Sequence, residues 1–251
     1  MSKAVIRLVL AAALGLAIAG CASVPLTGQG ACRVAGNLPL TADKTAYAQP
    51  DKALALWTRC VDSGPQTAIL KGLALKMRSL VRGQLKQYGE AIQDLEASQR
   101  LMPPRESWDF MTLASLYRDA GQPEKALELL RKMQDQRLGL AGMAPYYHLG
   151  RTLSELKQWP EATEAFTEGL SYQPTYVWAY MYRALAYDAQ GRRELARKDL
   201  ERAKELLGTE VKPGDRARWL VSLGQPPFDA LLPRYGFDRA TFMPDSLQQD
   251  E

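Results

Sequence analysis

Histidine is nearly missing from this sequence: its 251 residues hold one, His148. A serine–histidine–aspartate site needs that histidine beside a nucleophile and a carboxylate, and a zinc site needs several such ligands. No HExxH, CxxC or phosphate-cradling glycine motif occurs either. Glu161, Glu164 and Glu168 fall among lysines and glutamines in a solvated helix pattern. The sequence therefore predicts no catalytic residues, no metal and no cofactor, and His148 reads as a helix-surface or groove residue.

Long apolar runs are scarce as well. The one at 8–18 is about half the roughly 20 residues that a bilayer core requires, which argues against an uncleaved transmembrane helix. Lys3 and Arg7 precede it, and Ala19, Gly20 and Cys21 follow, the order of a secretory signal. Excess charge is modest too. Without Lys3 and Arg7 the basic residues number 30 against 28 acidic ones, so the formal net charge falls from +4 to +2. Basic residues are interspersed with acidic ones rather than gathered in a stripe, which excludes a nucleic-acid surface.

Only three cysteines are present. The run Ile18-Ala19-Gly20-Cys21 resembles the lipobox of bacterial lipoproteins, in which the cysteine becomes the first residue and is lipidated. That resemblance implies a signal peptide at 1–20 and a palmitate-type anchor at Cys21. Several acyl chains exceed the two-signal requirement for stable anchoring. Ala22 stands where an aspartate commonly retains such proteins at the inner membrane, so the resemblance implies the periplasmic face of an outer membrane. Cys32 and Cys60 remain. In an exported chain they are a candidate disulfide, the alternative being two small buried hydrophobes.

What the sequence does have is a repeat. AQPDKALALW from Ala48, KQYGEAIQDL from Lys86, GQPEKALELL from Gly121, KQWPEATEAF from Lys157 and GRRELARKDL from Gly191 align without gaps. Each places a small residue at its sixth position, Ala53, Ala91, Ala126, Ala162 and Ala196, spaced 38, 35, 36 and 34 residues apart. Four places later stands Trp57, Leu95, Leu130, Phe166 or Leu200, so both share one helix face. The preceding segments are helical in pattern, with Phe110, Leu113, Ala114 and Tyr117 on one face, then Tyr146, Leu149, Gly150 and Leu153, then Tyr180, Arg183, Ala184 and Tyr187. The unit is a helical hairpin, and one hairpin cannot bury such a face alone.

Tyr146, Leu149, Gly150, Leu153, Ala162, Phe166, Gly169 and Pro174 together resemble the tetratricopeptide repeat (TPR) signature, with Leu153 replacing the usual tyrosine. The resemblance implies an all-α, right-handed superhelix, a solenoid of stacked TPR hairpins. Four units fill 72–210, the first departing most, with Leu75, Arg78, Ser79 and Arg82 at its signature places. The segment 43–71 reads as a half repeat or cap, because its second helix lacks a proper first one. Residues 21–42, rich in small residues, read as a flexible tether. At 211–251 we expect a capping helix near 215–223 and a tail that packs back through Phe228, Leu231, Leu232, Tyr235, Phe237 and Phe242, with only 244–251 loose.

In the TPR family, places 2, 5, 9 and 12 of each unit line a concave groove. Carried over, these are Leu73, Lys76, Leu80 and Gly83; Trp108, Met111, Ser115 and Arg118; Ala144, Tyr147, Arg151 and Ser154; and Trp178, Met181, Leu185 and Asp188. Lys76, Trp108, Met111, Arg118, Tyr147, Arg151, Trp178, Met181 and Asp188 form the candidate groove, since Trp, Tyr, Met and Arg are enriched in interface cores. The aromatic members have burial between helices as their alternative. Leu80 stands where a carboxylate clamp needs asparagine, so capture of a C-terminal peptide is not expected. In build the chain resembles NlpI-type adaptor lipoproteins. That implies a periplasmic adaptor or scaffold for protein or peptide segments of envelope proteins, held at the membrane by its lipid. Assembly factors of the secretin-pilot or barrel-assembly type share the architecture. A cell-wall enzyme with accessory repeats would have only residues 214–251 for a catalytic domain, too few for one of usual size.

Overall fold

The computed structural model describes residues 27–41, 46–64, 67–104, 106–138, 141–210, 221–238 and 242. The segment read as a signal peptide, Cys21, most of the expected capping helix at 215–223 and the end expected to be loose at 244–251 lie outside them. Ten helices of eight or more residues fill most of the described chain: α1 Gly28–Gly36, α2 Pro50–Ser63, α3 Ala68–Gln84, α4 Tyr88–Leu101, α5 Ser107–Asp119, α6 Pro123–Asp135, α7 Met143–Glu155, α8 Trp159–Tyr172, α9 Val177–Ala189 and α10 Arg193–Glu210. A short helix, α11 Phe228–Leu231, runs into a 3-10 turn at Leu232–Tyr235. An isolated antiparallel bridge joins Leu40 to Tyr47. No strand occurs among the described residues.

Two compact units divide the chain. The first comprises 1–105 with 115–121, and the second 106–114 with 122–251, so α5 contributes to both.

In the first unit, α1 occupies part of the segment that reads as a tether. Thr27 caps it, its hydroxyl accepting from the Gly30 amide at 3.2 Å. Ala31 and Ala35 are fully buried in a core shared with Ala53, Trp57 and Cys60 of α2. The tether read at 21–42 therefore gives way at Gly28, and the half repeat has a first helix after all. Gly28 crosses the end of α2 so closely that a Cβ there would lie 2.1 Å from the Ser63 backbone. Cys32 and Cys60 are bonded beside this crossing, with Cα atoms 4.8 Å apart. Tyr47 is tied to α3: its amide donates to Gln84 Oε1 at 3.1 Å, and Gln84 Nε2 donates to its carbonyl at 2.8 Å. The Trp57 indole donates to the Tyr47 hydroxyl at 3.1 Å.

The small and large positions of the repeat interlock as the pattern requires. In the second unit a Cβ at Gly150 would meet the Phe166 ring at 2.7 Å, and one at Gly169 would meet Met143 Sδ at 2.7 Å. Bulky residues fill space that only glycine leaves open. Ala53, Ala91, Ala126, Ala162 and Ala196 are all fully buried. Proline opens α2, α6 and α8 within the first two helical positions, where its missing N–H costs nothing.

Candidate binding surface

Two hairpins carry a buried ion pair at the same register. Arg78 of α3 donates to Asp94 of α4 through Nε and Nη2, both at 2.7 Å, and Arg82 Nη1 adds a third bond at 2.6 Å. In the second unit, Arg183 of α9 holds Asp199 of α10 in the same fork, Nε to Oδ2 at 2.7 Å and Nη2 to Oδ1 at 2.8 Å. Bonding to Asp94 raises the Arg78 pKa further above its ordinary value. These arginines staple hairpins together rather than face a ligand. Arg78 and Arg82 stand out in the sequence as departures from the signature, but Arg183 and the two aspartates do not. The signal that could have found them is the shared spacing of 16 residues.

Of the candidate groove residues, three are core. Met111, Arg118 and Met181 are 4%, 4% and 0% exposed. This corrects the groove reading for them: the same residue types fill cores as well as interfaces, and here Met181 packs with Leu200, Leu207 and Leu232. Arg118 Nη2 donates to Ser115 Oγ at 3.0 Å. Trp108 is half-buried on α5, its carbonyl accepting from the Thr112 hydroxyl at 2.9 Å. Lys76 is half-buried on α3.

At α9 the groove places are taken by the chain itself. Phe228 lies against Trp178, ring centroids 5.8 Å apart, and edge-on to Tyr182 at 5.0 Å. Asp188 accepts from the Tyr235 hydroxyl at 2.7 Å and from Arg234 Nη1 at 2.5 Å. Arg197 Nη1 donates to the Tyr235 carbonyl at 3.2 Å. Burial first, then the Asp188 carboxylate, pushes the Tyr235 phenol up to about 12. Trp178 and Asp188 therefore hold the tail as a following first helix would be held, which corrects their reading as open groove residues. Phe228, Leu231, Leu232, Tyr235 and Phe242 are buried in one cluster with residues of α9 and α10.

Tyr147 and Arg151 of α7 differ. Tyr147 meets Tyr176 at 5.2 Å and Tyr182 at 5.9 Å, both edge-on. The Arg151 guanidinium lies 4.8 Å from the Tyr182 ring centroid and 5.9 Å from that of Tyr147, with about a quarter (26%) of its side chain exposed. Burial raises the Tyr176 phenol pKa, opposed by the Arg151 charge. Ala144, one turn before, is exposed. Tyr182 is the partner that sequence reasoning missed. His148 is half-buried beside Tyr147, rings 5.8 Å apart. The arrangement offers a cation fixed on an aromatic platform at a partly open helix face. Among the described residues no group of three or more potential metal ligands occurs.

No family model and no curated protein matches this chain. Solved structures do. A MamA protein is similar at a TM-score of 0.53 and 20% identity, covering 68% of this chain and 86% of that one. MamA from Desulfovibrio magneticus matches at 0.57 and 15%, covering 66% and 89%. YrrB, described as a TPR protein with an unusual peptide-binding site, matches at 0.52 and 19%, covering 64% and 80%. The fold is that of TPR proteins: stacked helical hairpins, all α.

Proposed function

We propose that this chain is an envelope-anchored TPR lipoprotein whose hairpins serve as a protein-binding adaptor or scaffold in the periplasm. The observation that carries the binding role is the Arg151 guanidinium held on Tyr182 and Tyr147 at a partly exposed first-helix face. Orientation by ring contacts lowers the ordering entropy that an arginine otherwise loses on engaging a partner. The likeness to YrrB supports a peptide or protein segment as the ligand. Anchoring rests on the charged, apolar and small-residue sequence that ends at Cys21, and the Cys32–Cys60 bridge suits an oxidising compartment.

The test is photo-crosslinking in intact cells with the reactive side chain at Ala144, compared with exposed Glu164 on α8. Adducts formed from position 144, absent from 164 and lost with Arg151→Ala support the reading. Identical adducts from both positions, or none from 144 in a folded protein, overturn it. Cys21→Ser is expected to shift the protein from the membrane fraction to the soluble one.

A further inference from the structure

Two large apolar side chains stand exposed side by side at the start of α3: Ile69 is 63% exposed and Leu70 53%. Both belong to the first unit, and the exposed Lys71 follows them. The buried cluster around Trp57 and Cys60 takes Ala74 and Val81 from α3 and neither member of this pair. Its place in the fold gives the pair a use. Gly28 abuts Ser63 and Gly64, with a Cβ there only 2.3 Å from the Gly64 amide nitrogen. Ile69 follows Gly64 by five residues, a span of at most about 18 Å. The chain thus enters the fold at the end of the unit that displays Ile69 and Leu70.

Chain length bounds the other side. Six residue steps separate Cys21 from Thr27, the cap of α1, and these reach at most about 21 Å. An acyl anchor at Cys21 would keep the entry point of α1 within that distance of the bilayer. We propose that Ile69 and Leu70 form a membrane-contact surface, entering the interfacial layer of the lipid leaflet that holds the anchor and fixing the orientation of the first unit. The occupant is a lipid surface. Two adjacent apolar side chains are too few to bind one unaided, and an anchor that keeps the bilayer within reach removes most of the association cost. This inference rests on the lipoprotein reading of Cys21.

The experiment uses the chain from Cys21 onward, Cys32–Cys60 bridge intact, with a maleimide lipid coupled to Cys21 and the protein bound to phosphatidylethanolamine–phosphatidylglycerol vesicles. An environment-sensitive fluorescent amino acid replaces Lys71 or, as control, exposed Glu90 on α4. Nitroxide-labelled lipids are expected to quench the probe at 71 and to leave the probe at 90 unaffected, and Ile69→Ser with Leu70→Ser is expected to abolish the quenching. No quenching at 71 in vesicle-bound protein, as when residues 22–26 cover the pair, overturns the proposal. So does quenching that persists in the double-serine variant. Labelling with a fatty-acid analogue in cells separately decides the lipoprotein reading: a processed chain without label at Cys21 overturns that reading, and the proposal with it, whatever the vesicles show.

Discussion

Arg183 grips Asp199 through two parallel hydrogen bonds, and their side chains are only 15% and 8% exposed. Arg78 and Asp94 repeat the grip, also across 16 residues. The equivalent pairs in the intervening repeats are Leu113 with Leu129 and Leu149 with Ala165. One place in the hairpin thus accepts either an ionic or an apolar pair. Removing one member of a buried ion pair strands the other charge, whereas an apolar pair of matching shape is often neutral. Asp199→Ala is therefore expected to cost about 3 kcal/mol or more, and Arg183→Leu with Asp199→Ala, the combination that Leu149 and Ala165 already present, to recover most of it. Urea unfolding of the three proteins checks this; a double variant as weak as the single one would contradict it.

The Tyr235 phenol titrates near 12 in the folded chain, because burial and the Asp188 carboxylate both disfavour the phenolate. An unfolded tyrosine titrates near about 10. Between these values the unfolded chain has released a proton that the folded one keeps, so stability falls as pH rises. The contribution is fully present below about pH 10 and is lost as pH climbs toward 12. The urea-unfolding free energy should fall across that window, and Tyr235→Phe should remove part of the slope while lowering stability at neutral pH.

The hairpin repeat is legible in the sequence because its small and bulky residues recur at fixed spacing, and close approach leaves little freedom at Gly150, Gly169 and the five buried alanines. The α1 helix is not legible. GQGACRVAG has poor helix propensity, and the helix is held by burial of Ala31 and Ala35 and by the bond at Cys32. Of the candidate groove residues, Tyr147 and Arg151 keep part of their surface exposed, whereas Met111, Arg118 and Met181 are buried. Residue type cannot separate an interface methionine from a core one, and the tail that covers Trp178 and Asp188 arrives from more than forty residues away.

The turn into each of four second helices holds one residue in the left-handed region: Lys86 at φ 60°, Gly121 at 72°, Lys157 at 58° and Gly191 at 72°. Glycine fills it without strain and lysine does not. Gly121→Ala is expected to destabilise by about 1 kcal/mol, although nothing lies within 4 Å of the added Cβ. Lys157→Gly should fall within about 0.5 kcal/mol of neutral, since relief of strain offsets the greater entropy of the unfolded glycine. Thermal denaturation of Gly121→Ala distinguishes this from a purely packing-based account, in which that substitution has no effect, and a Lys157→Gly variant destabilised by about 1 kcal/mol or more would contradict the offset.

The Cys32–Cys60 bond ties α1 to α2 across 28 residues, a loop whose closure stabilises by roughly 3 to 4 kcal/mol in the chain-entropy model. Because α1 has weak intrinsic propensity, its helicity depends on that bond and on the Gly28 crossing together. Reduction, or Cys60→Ser, should release α1 and raise amide exchange across Gly28–Gly36, with α7 to α10 unaffected. Gly28→Ala attacks the same joint without touching sulfur. Its Cβ would collide with the Ser63 backbone at 2.1 Å, so α1 must shift, and exchange in α1 should rise even with the bond intact. Unchanged protection of α1 in both variants would mean that the helix stands on its own.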